Sequence, residues 1–393
     1  MEGIASFENL ERLTVRDYPD TNLKQLVPLK RLNYLSLEDT VDSDSIISTD
    51  KDKIRVKDYS AISVMSGLKS LYLNSDIIKD IGFIKGLPAL EDLTLEDTAV
   101  ISLASLSEMP ALRSLTLLGN NKVQDFGPVG TATGLTSLSI DKMTSQPDPD
   151  LSSLSGLEKL DIKGFMSISS VRGLSGLKEL SIHNCNVDQA DSLSSLTGVE
   201  RLTFYSVWNS QGNLRSLDFL KGMTGLKYAD FTGNLDGTGW SGYNYLVEVY
   251  GDVSSIFNHQ GLEELYLDNG KFEINFDKIK ENPGLRVLSL RNMELHKNYY
   301  VESYGGMTSV WYDDVKLGEH MDILSRFPNL EELYLDSNEL TDLNFAAGLK
   351  NLKRLGLKDN YITDLSPLKQ AEFLEYLDIR DNPVGEVGDV GNG

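Results

Sequence analysis

Aromatic side chains and carboxylates recur at one phase of a repeating pattern in the second half of the chain. Tyr205, Tyr228, Tyr266, Trp311 and Tyr334 fall on or beside the position that separates two apolar residues in successive units, and Asp268, Asp313 and Asp336 stand two residues after Tyr266, Trp311 and Tyr334. Trp208, Trp240 and Tyr243 lie in irregular intervals nearby, the last two in a stretch with four glycines between residues 233 and 242. Tyrosine and tryptophan bring a large contact area at low entropic cost and carry one polar atom for orientation. Flanked by aspartates, they suit a basic protein surface or a glycan. The chemistry is therefore recognition, and the candidate ligand-binding set is Tyr205, Trp208, Tyr228, Trp240, Tyr243, Tyr266, Trp311 and Tyr334. The competing reading is that β-sheets favour aromatic residues for cross-strand packing alone.

Bond-making chemistry has less support. Of the four histidines, His183, His259, His296 and His320, only His183 projects from a regular predicted strand, with Glu179 and Asn184 near it. No serine or cysteine nucleophile motif, metal-ligand spacing or glycine-rich phosphate loop accompanies it. The expectation is a surface histidine, no enzyme, no cofactor and no metal. Asp42, Asp44, Asp50 and Asp52 are spaced like part of a calcium loop, but the glycine at its sixth place and the glutamate at its twelfth are missing. They read as a solvated acidic excursion. The single cysteine, Cys185, falls in a core phase and reads as a buried thiol.

The elements that must carry these residues follow from a fixed period. Leu330, Leu333 and Leu335 are followed by Leu352, Leu355 and Leu357, and then by Leu374, Leu377 and Ile379, at steps of 22 residues, with Asn338, Asn360 and Asn382 in phase. Two apolar residues two apart point the same way from a short strand, and the residue between them points to the other face. The asparagine amide has donors and an acceptor for the turn that follows. Ile362, Leu365 and Leu368, at steps of three, bury one side of a 3₁₀-like return. One such unit cannot bury its leucines; a stack of them can.

Other units begin at Leu10, Leu32, Leu68, Leu90, Leu112, Leu135, Leu157, Leu177, Val199, Leu226, Leu262 and Leu285. Surplus residues fall near 40–59 and 233–255, and Trp208 lies in a smaller surplus before Leu226. The interval from Leu285 to Leu330 is 45 residues, and a degenerate unit with Met307, Val310 and Tyr312 in the leucine places fits inside it, giving about 16 strands. Apolar residues replace asparagine at Met143, Phe165, Cys185 and Val207, so those turns are expected to deviate.

The 393 residues read as one domain spanning 1–393, because a solenoid lengthens without a second core. The formal net charge of -22 opposes nucleic acid or an anionic membrane surface as partner. No run of 18 apolar residues exists, so no membrane span is expected. The chain opens and closes inside repeat units and shows no secretory leader, which reads as a piece of a longer protein.

The stretch LKRLGLKDNYITDLSPLKQAEFL, residues 352–374, resembles the 22-residue class of leucine-rich repeats, of which bacterial internalins are the best-known carriers. The resemblance implies an α/β, β-rich solenoid: a right-handed superhelix with a concave parallel sheet and a 3₁₀ or irregular convex side. It implies a non-enzymatic protein-binding module, acting in adhesion or recognition at the cell surface or after secretion, with a host or cell-surface protein as ligand. The alternatives are a cytoplasmic scaffold or regulatory subunit that grips an enzyme, a glycan-binding surface module, and a targeting arm for an enzyme domain.

Overall fold

The computed structural model describes residues 3–16, 23–38, 58–142, 146–205, 217–233, 252–304 and 307–385. The acidic excursion expected at 42–59 therefore falls almost wholly outside the described residues, as does most of the 233–255 insertion. The chain divides into two compact units, Met1–Leu177 and Lys178–Gly393.

In the first unit seven short strands pair in sequence order, all parallel: β1 (Arg12–Arg16), β2 (Tyr34–Glu38), β3 (Ser70–Asn74), β4 (Asp92–Glu96), β5 (Ser114–Leu118), β6 (Ser137–Asp141) and β7 (Lys159–Lys163). Leucine stands opposite leucine throughout: Leu13, Leu35, Leu71, Leu93, Leu115, Leu138 and Leu160 form one column. From Leu35 onward that column is buried, and each buried leucine stabilises the unit by roughly 1.5–3 kcal/mol. A slip of one residue would turn every leucine to water, so the period also fixes the register.

The second unit contains β8 (Glu179–His183), β9 (Arg201–Tyr205), β10 (Tyr228–Asp230), β11 (Glu264–Tyr266), β12 (Lys271–Glu273), β13 (Val287–Ser289), β14 (Glu294–Tyr304), β15 (Met307–Val315), β16 (Glu332–Tyr334), β17 (Arg354–Gly356) and β18 (Tyr376–Asp378). Its parallel ladder runs β8-β9-β10-β11-β13-β16-β17-β18. Opposite the ladder, 3₁₀ returns such as Asp218–Gly222, Asn344–Gly348 and Ser366–Gln370 close each coil. Phenylalanine fills the wider coils: Phe204 stacks on Phe219 at 5.7 Å and meets Phe231 edge-on at 5.5 Å.

One expected strand is not in the ladder. Val287 in β13 pairs directly with Glu332 in β16, so the 45-residue interval holds no intervening coil. Met307–Val315 instead folds back on Glu294–Tyr304 as an antiparallel hairpin, and β12 joins its other side as a three-stranded sheet. Met307, Val310 and Tyr312 match the leucine spacing, but apolar and aromatic residues on facing strands pair equally well across a hairpin.

Two devices make the coils. The first is a left-handed residue at most of the described sharp turns: Asp97, Gly119, Gly164, Asn184, Ser337, Asp359 and Asp381 all have positive φ, each one place before the asparagine phase. The turns at Phe165 and Cys185 keep this residue, so the deviation expected there does not occur. The turn's course is set by the left-handed residue; Phe165 and Cys185 are buried in the interior, and the Cys185 thiol also donates to the His183 carbonyl at 3.1 Å. Met143 and Val207 lie outside the described residues. The second device is the asparagine amide. Asn360 is buried and donates to the carbonyls of Leu335, Leu357 and Lys358 at 3.0, 3.0 and 3.2 Å; its oxygen accepts from the backbone N–H of Asn338 and Leu340 at 3.1 and 2.9 Å. It therefore satisfies its own turn and the preceding coil together. Asn120 and Asn382 repeat the pattern.

Asn360→Ala leaves several buried backbone groups without partners, at about 1–3 kcal/mol for each one left unsatisfied. We expect a loss of about 2–4 kcal/mol, read from the shift in the urea midpoint. Asn382→Ala, half-exposed, is expected to cost about 1 kcal/mol. Equal midpoints for the two variants would contradict the bridging role.

Candidate functional site

The ladder register of the second unit decides which side chains share its outer face. Strand alternation sends the leucine positions inward and leaves three outward columns. One runs Glu179, Arg201, Tyr228, Glu264, Val287, Glu332, Arg354 and Tyr376, taken along the strand pairs. The central one runs Ser181, Thr203, Asp230, Tyr266, Ser289, Tyr334, Gly356 and Asp378. The third contains Tyr205, Asp268, Arg291, Asp336, Lys358 and Arg380, each two residues further along its strand.

Tyr228 and Tyr266 sit in adjacent columns with ring centroids 5.4 Å apart. The Tyr228 hydroxyl donates to Asp230 at 3.2 Å, and that of Tyr266 to Glu264 at 3.1 Å. Tyr334 donates to Glu332 at 2.6 Å. In each case the acceptor is two residues away on the same strand, so phenol and carboxylate share a face. Guanidinium groups lie over two of these rings and over a neighbour: Arg201 over Tyr228 at 3.7 Å, Arg291 over Tyr334 at 4.3 Å and Arg354 over Tyr376 at 4.5 Å. Such cation–π contacts are worth roughly 0.5–2 kcal/mol each, and they hold the rings at fixed tilts.

Two glycines permit close approaches here. A Cβ on Gly356 would come 2.9 Å from Cδ1 of Tyr334, and one on Gly233 would come 2.7 Å from Cε2 of Tyr205. Tyr205 itself is half-exposed, with its ring 6.1 Å from that of His183.

Burial, reinforced by the neighbouring carboxylates, raises the phenol pKa values. Tyr228 is pushed up to about 12, Tyr266 is pushed higher still, and Tyr334 is raised by burial and its bond to Glu332. Asp268 is also raised, by burial foremost, against the pull of Ser289 and Arg291. It accepts from the Ser289 hydroxyl at 2.6 Å and the Arg291 backbone at 2.9 Å, while Asp336 lies 2.9 Å from Nε of Arg291. These two aspartates are thus engaged within the lattice, and Asp230, Glu264 and Glu332 are the carboxylates that accept from the rings' hydroxyls.

The structure brings Tyr228, Tyr266 and Tyr334 onto one face and places Tyr205 at its margin. It does not bring Trp311 there. Trp311 lies in β15 opposite Tyr300, and Asp313 lies opposite Lys297, both in the hairpin and outside the ladder. Trp208, Trp240 and Tyr243 fall outside the described residues. The arginines Arg201, Arg291 and Arg354 were not singled out from the sequence. The signal for them lay in the repeat phase, since each stands one coil from the ring it covers. The repeated Glu-Leu-Tyr of 264–266 and 332–334 likewise announces the phenol–carboxylate pairs.

Residues 328–370 match the family described as Leucine Rich repeats (2 copies). No curated protein matches the chain. Among solved structures it is similar to an internalin from Listeria monocytogenes, with 18% identity, TM-score 0.59, and 95% of this chain and 87% of that one covered. A leucine-rich repeat protein of Leptospira interrogans is similar at 16% identity and TM-score 0.53, covering 98% and 88%. TLR13, in its complex with ssRNA13, is similar at 17% identity and TM-score 0.55, with 97% of this chain and 59% of that chain covered. At these identities the likeness is one of fold, and the fold is the leucine-rich repeat solenoid of the internalin-like kind. No helix among the described residues is long and apolar enough to cross a membrane.

The raised phenol of Tyr228 carries a pH signature. Between pH about 10 and about 12 the unfolded chain loses this proton while the folded chain keeps it, so the stability it confers is complete below pH 10 and is lost as pH rises toward 12. Tyr228→Phe keeps the ring and removes the phenol. Its urea midpoint is expected to fall less steeply over that window than the unsubstituted protein's; parallel slopes would contradict the assignment.

Proposed function

We propose that this leucine-rich repeat solenoid is a bacterial protein-binding module, secreted or displayed at the cell surface, that grips its ligand on the outer face of β9 to β17. The single observation that carries the reading is the Arg–Tyr–carboxylate lattice: Tyr228 held by Arg201, Tyr334 held by Arg291 and Arg354, and Tyr266 held against Tyr228 and bonded to Glu264, in a half-exposed array. Rigid aromatic anchors lose little entropy on binding, which is why they dominate interface energies. Glu264 and Glu332 add negative charge beside the rings, favouring a ligand surface that presents lysine or arginine. The module binds and does not catalyse.

The bacterial and extracellular part of the reading draws on the fold likeness to the Listeria internalin and the Leptospira protein. TLR13 shares the fold and was solved with RNA. A net charge of -22 on this chain opposes a polyphosphate ligand, so a protein remains the favoured class. We read the chain as one repeat domain, 1–393.

The test is affinity capture from host-cell surface extracts, followed by titration of the captured protein against variants. Tyr266→Ala and Tyr334→Ala are each expected to weaken binding tenfold or more, about 1.4 kcal/mol, with unchanged far-ultraviolet circular dichroism. Affinity unchanged in both variants would move the site off this face. Fractionation of the source cells with an antibody to the chain tests the location: signal confined to the cytoplasm would favour a scaffold that holds an intracellular enzyme.

A further inference from the structure

Gly356 holds the central place of β17, while the other seven central places of the second unit's ladder carry side chains. Glycine weakens a strand interior, because it loses the most conformational freedom on folding and has nothing to pack. The backbone gives no reason for it: Gly356 is not among the residues with positive φ, where glycine has its advantage. The reason is space. A Cβ at this place would meet Cδ1 of Tyr334 at 2.9 Å and Oδ1 of Asp336 at 3.0 Å.

Both atoms belong to the support of one ring. Register places Ser289 of β13 on one side of Tyr334 and Gly356 on the other. Two residues beyond Ser289, Arg291 puts its guanidinium 4.3 Å from the centre of the Tyr334 ring. Asp336 steadies that guanidinium, with Oδ2 2.9 Å from Nε of Arg291, while its Oδ1 accepts from the Lys358 backbone N–H at 2.8 Å. Glu332 and Arg354 fix the hydroxyl end at 2.6 and 3.3 Å. The half-buried ring thus has a guanidinium over it and the bare backbone of β17 beside it. One added methyl group would press on the ring and on the carboxylate together, and packed side chains answer such pressure by leaving their rotamers.

We propose that Gly356 is a positioning residue for ligand binding: by carrying no side chain it seats the Tyr334 ring against β17 at the tilt that the ligand meets. The inference rests on the reading of this outer face as the binding surface. The competing account is that an aromatic ring laid over a cross-strand glycine only recovers stability that the glycine costs.

The experiment compares Gly356→Ala with Gly348→Ala, where a Cβ would meet nothing within 4 Å. The first readout needs no ligand: tyrosine ionisation in the full chain, followed by ultraviolet difference absorbance. Burial, with the bond to Glu332, holds the Tyr334 phenol above its ordinary value, so a ring lifted from its seat ionises at lower pH. Gly356→Ala is expected to shift one phenol downward, and Gly348→Ala none. Added to Tyr334→Phe, Gly356→Ala is expected to shift none.

The second readout is affinity for the captured protein ligand. Gly356→Ala is expected to weaken it tenfold or more, as Tyr334→Ala does, and the double variant no further, because substitutions that act through one group do not add. An unchanged titration in Gly356→Ala overturns the proposal. So does full affinity in Gly356→Ala where Tyr334→Ala binds weakly, or losses that multiply in the double variant. Should Gly356→Ala fail to fold, cooperative urea unfolding regained on adding Tyr334→Ala supports the seat, and failure of both overturns it. Full affinity in Tyr334→Ala itself would overturn the binding-face reading and this proposal with it, and the titration distinguishes that case from a misplaced seat.

Discussion

Among the described residues the coils turn their backbone sharply next to their own core, and the polar groups exposed by that turn must find partners where water is scarce. The rest of the structure depends on how this is met. Asn360 meets it for two coils with one amide, reaching Leu335 in the coil before and Leu357 in its own. The period follows directly: a side chain that bonds the preceding coil tolerates only a turn of matching length. Where the asparagine is missing the chain substitutes other chemistry. Lys142 is fully buried, with its ammonium 3.1 Å from Asp148 and donating to the Gln146 carbonyl, and Asp148 in turn accepts from the Ser167 backbone at 2.8 Å. An ion pair there ties adjacent coils as an amide does elsewhere, and a charge so deeply placed requires its partner.

The same need recurs on the return side, met by aspartate. The carboxylates of Asp58, Asp80, Asp125, Asp252, Asp342 and Asp364 each accept from the backbone N–H two residues on, at the entry to a 3₁₀ return, and Asp150 does so at the entry to a turn. The Ser60 and Ser366 hydroxyls, with the backbone N–H groups, hold the carboxyls of Asp58 and Asp364 below the usual range, and the Ser152 backbone with its hydroxyl does the same for Asp150, so their contribution to stability is present above pH 4 and is lost as the pH falls through their lowered values. Part of the acidic charge is therefore structural, and net charge alone overstates how much of it faces a ligand.

Periodicity made the fold legible. Leucines at steps of 22, with asparagine in phase, specify strand, turn and return before any coordinate is known. Met307, Val310 and Tyr312 show the limit. Three apolar places at leucine spacing fit a coil, but Gly305-Gly306 between two β-favouring runs is also a hairpin signal, and hairpin pairing with Glu294–Tyr304 prevailed. The candidate site was legible in its rings and not in its supports. Tyr228, Tyr266 and Tyr334 stood out by type and phase. The arginines over Tyr228 and Tyr334 did not, because an arginine on a surface strand is unremarkable until register places it one coil from a ring. The aspartates beside the rings looked available to a ligand, yet Asp268 and Asp336 are engaged by Arg291, a contact that depends on side-chain reach across strands.

A solenoid separates what holds it together from what it presents. The inward leucine column and the asparagine amides carry the stability, and the outward columns contribute little to the core. Tyr266 can therefore change with small consequence for folding, whereas Asn360 cannot. The outer lattice is also stiffened independently of any ligand: Tyr334 is fixed by Glu332 below its hydroxyl, by Arg291 over its ring and by Arg354, whose Nε lies 3.3 Å from the phenol oxygen. Three constraints on one ring leave it few rotamers to lose, which lowers the entropic cost of binding.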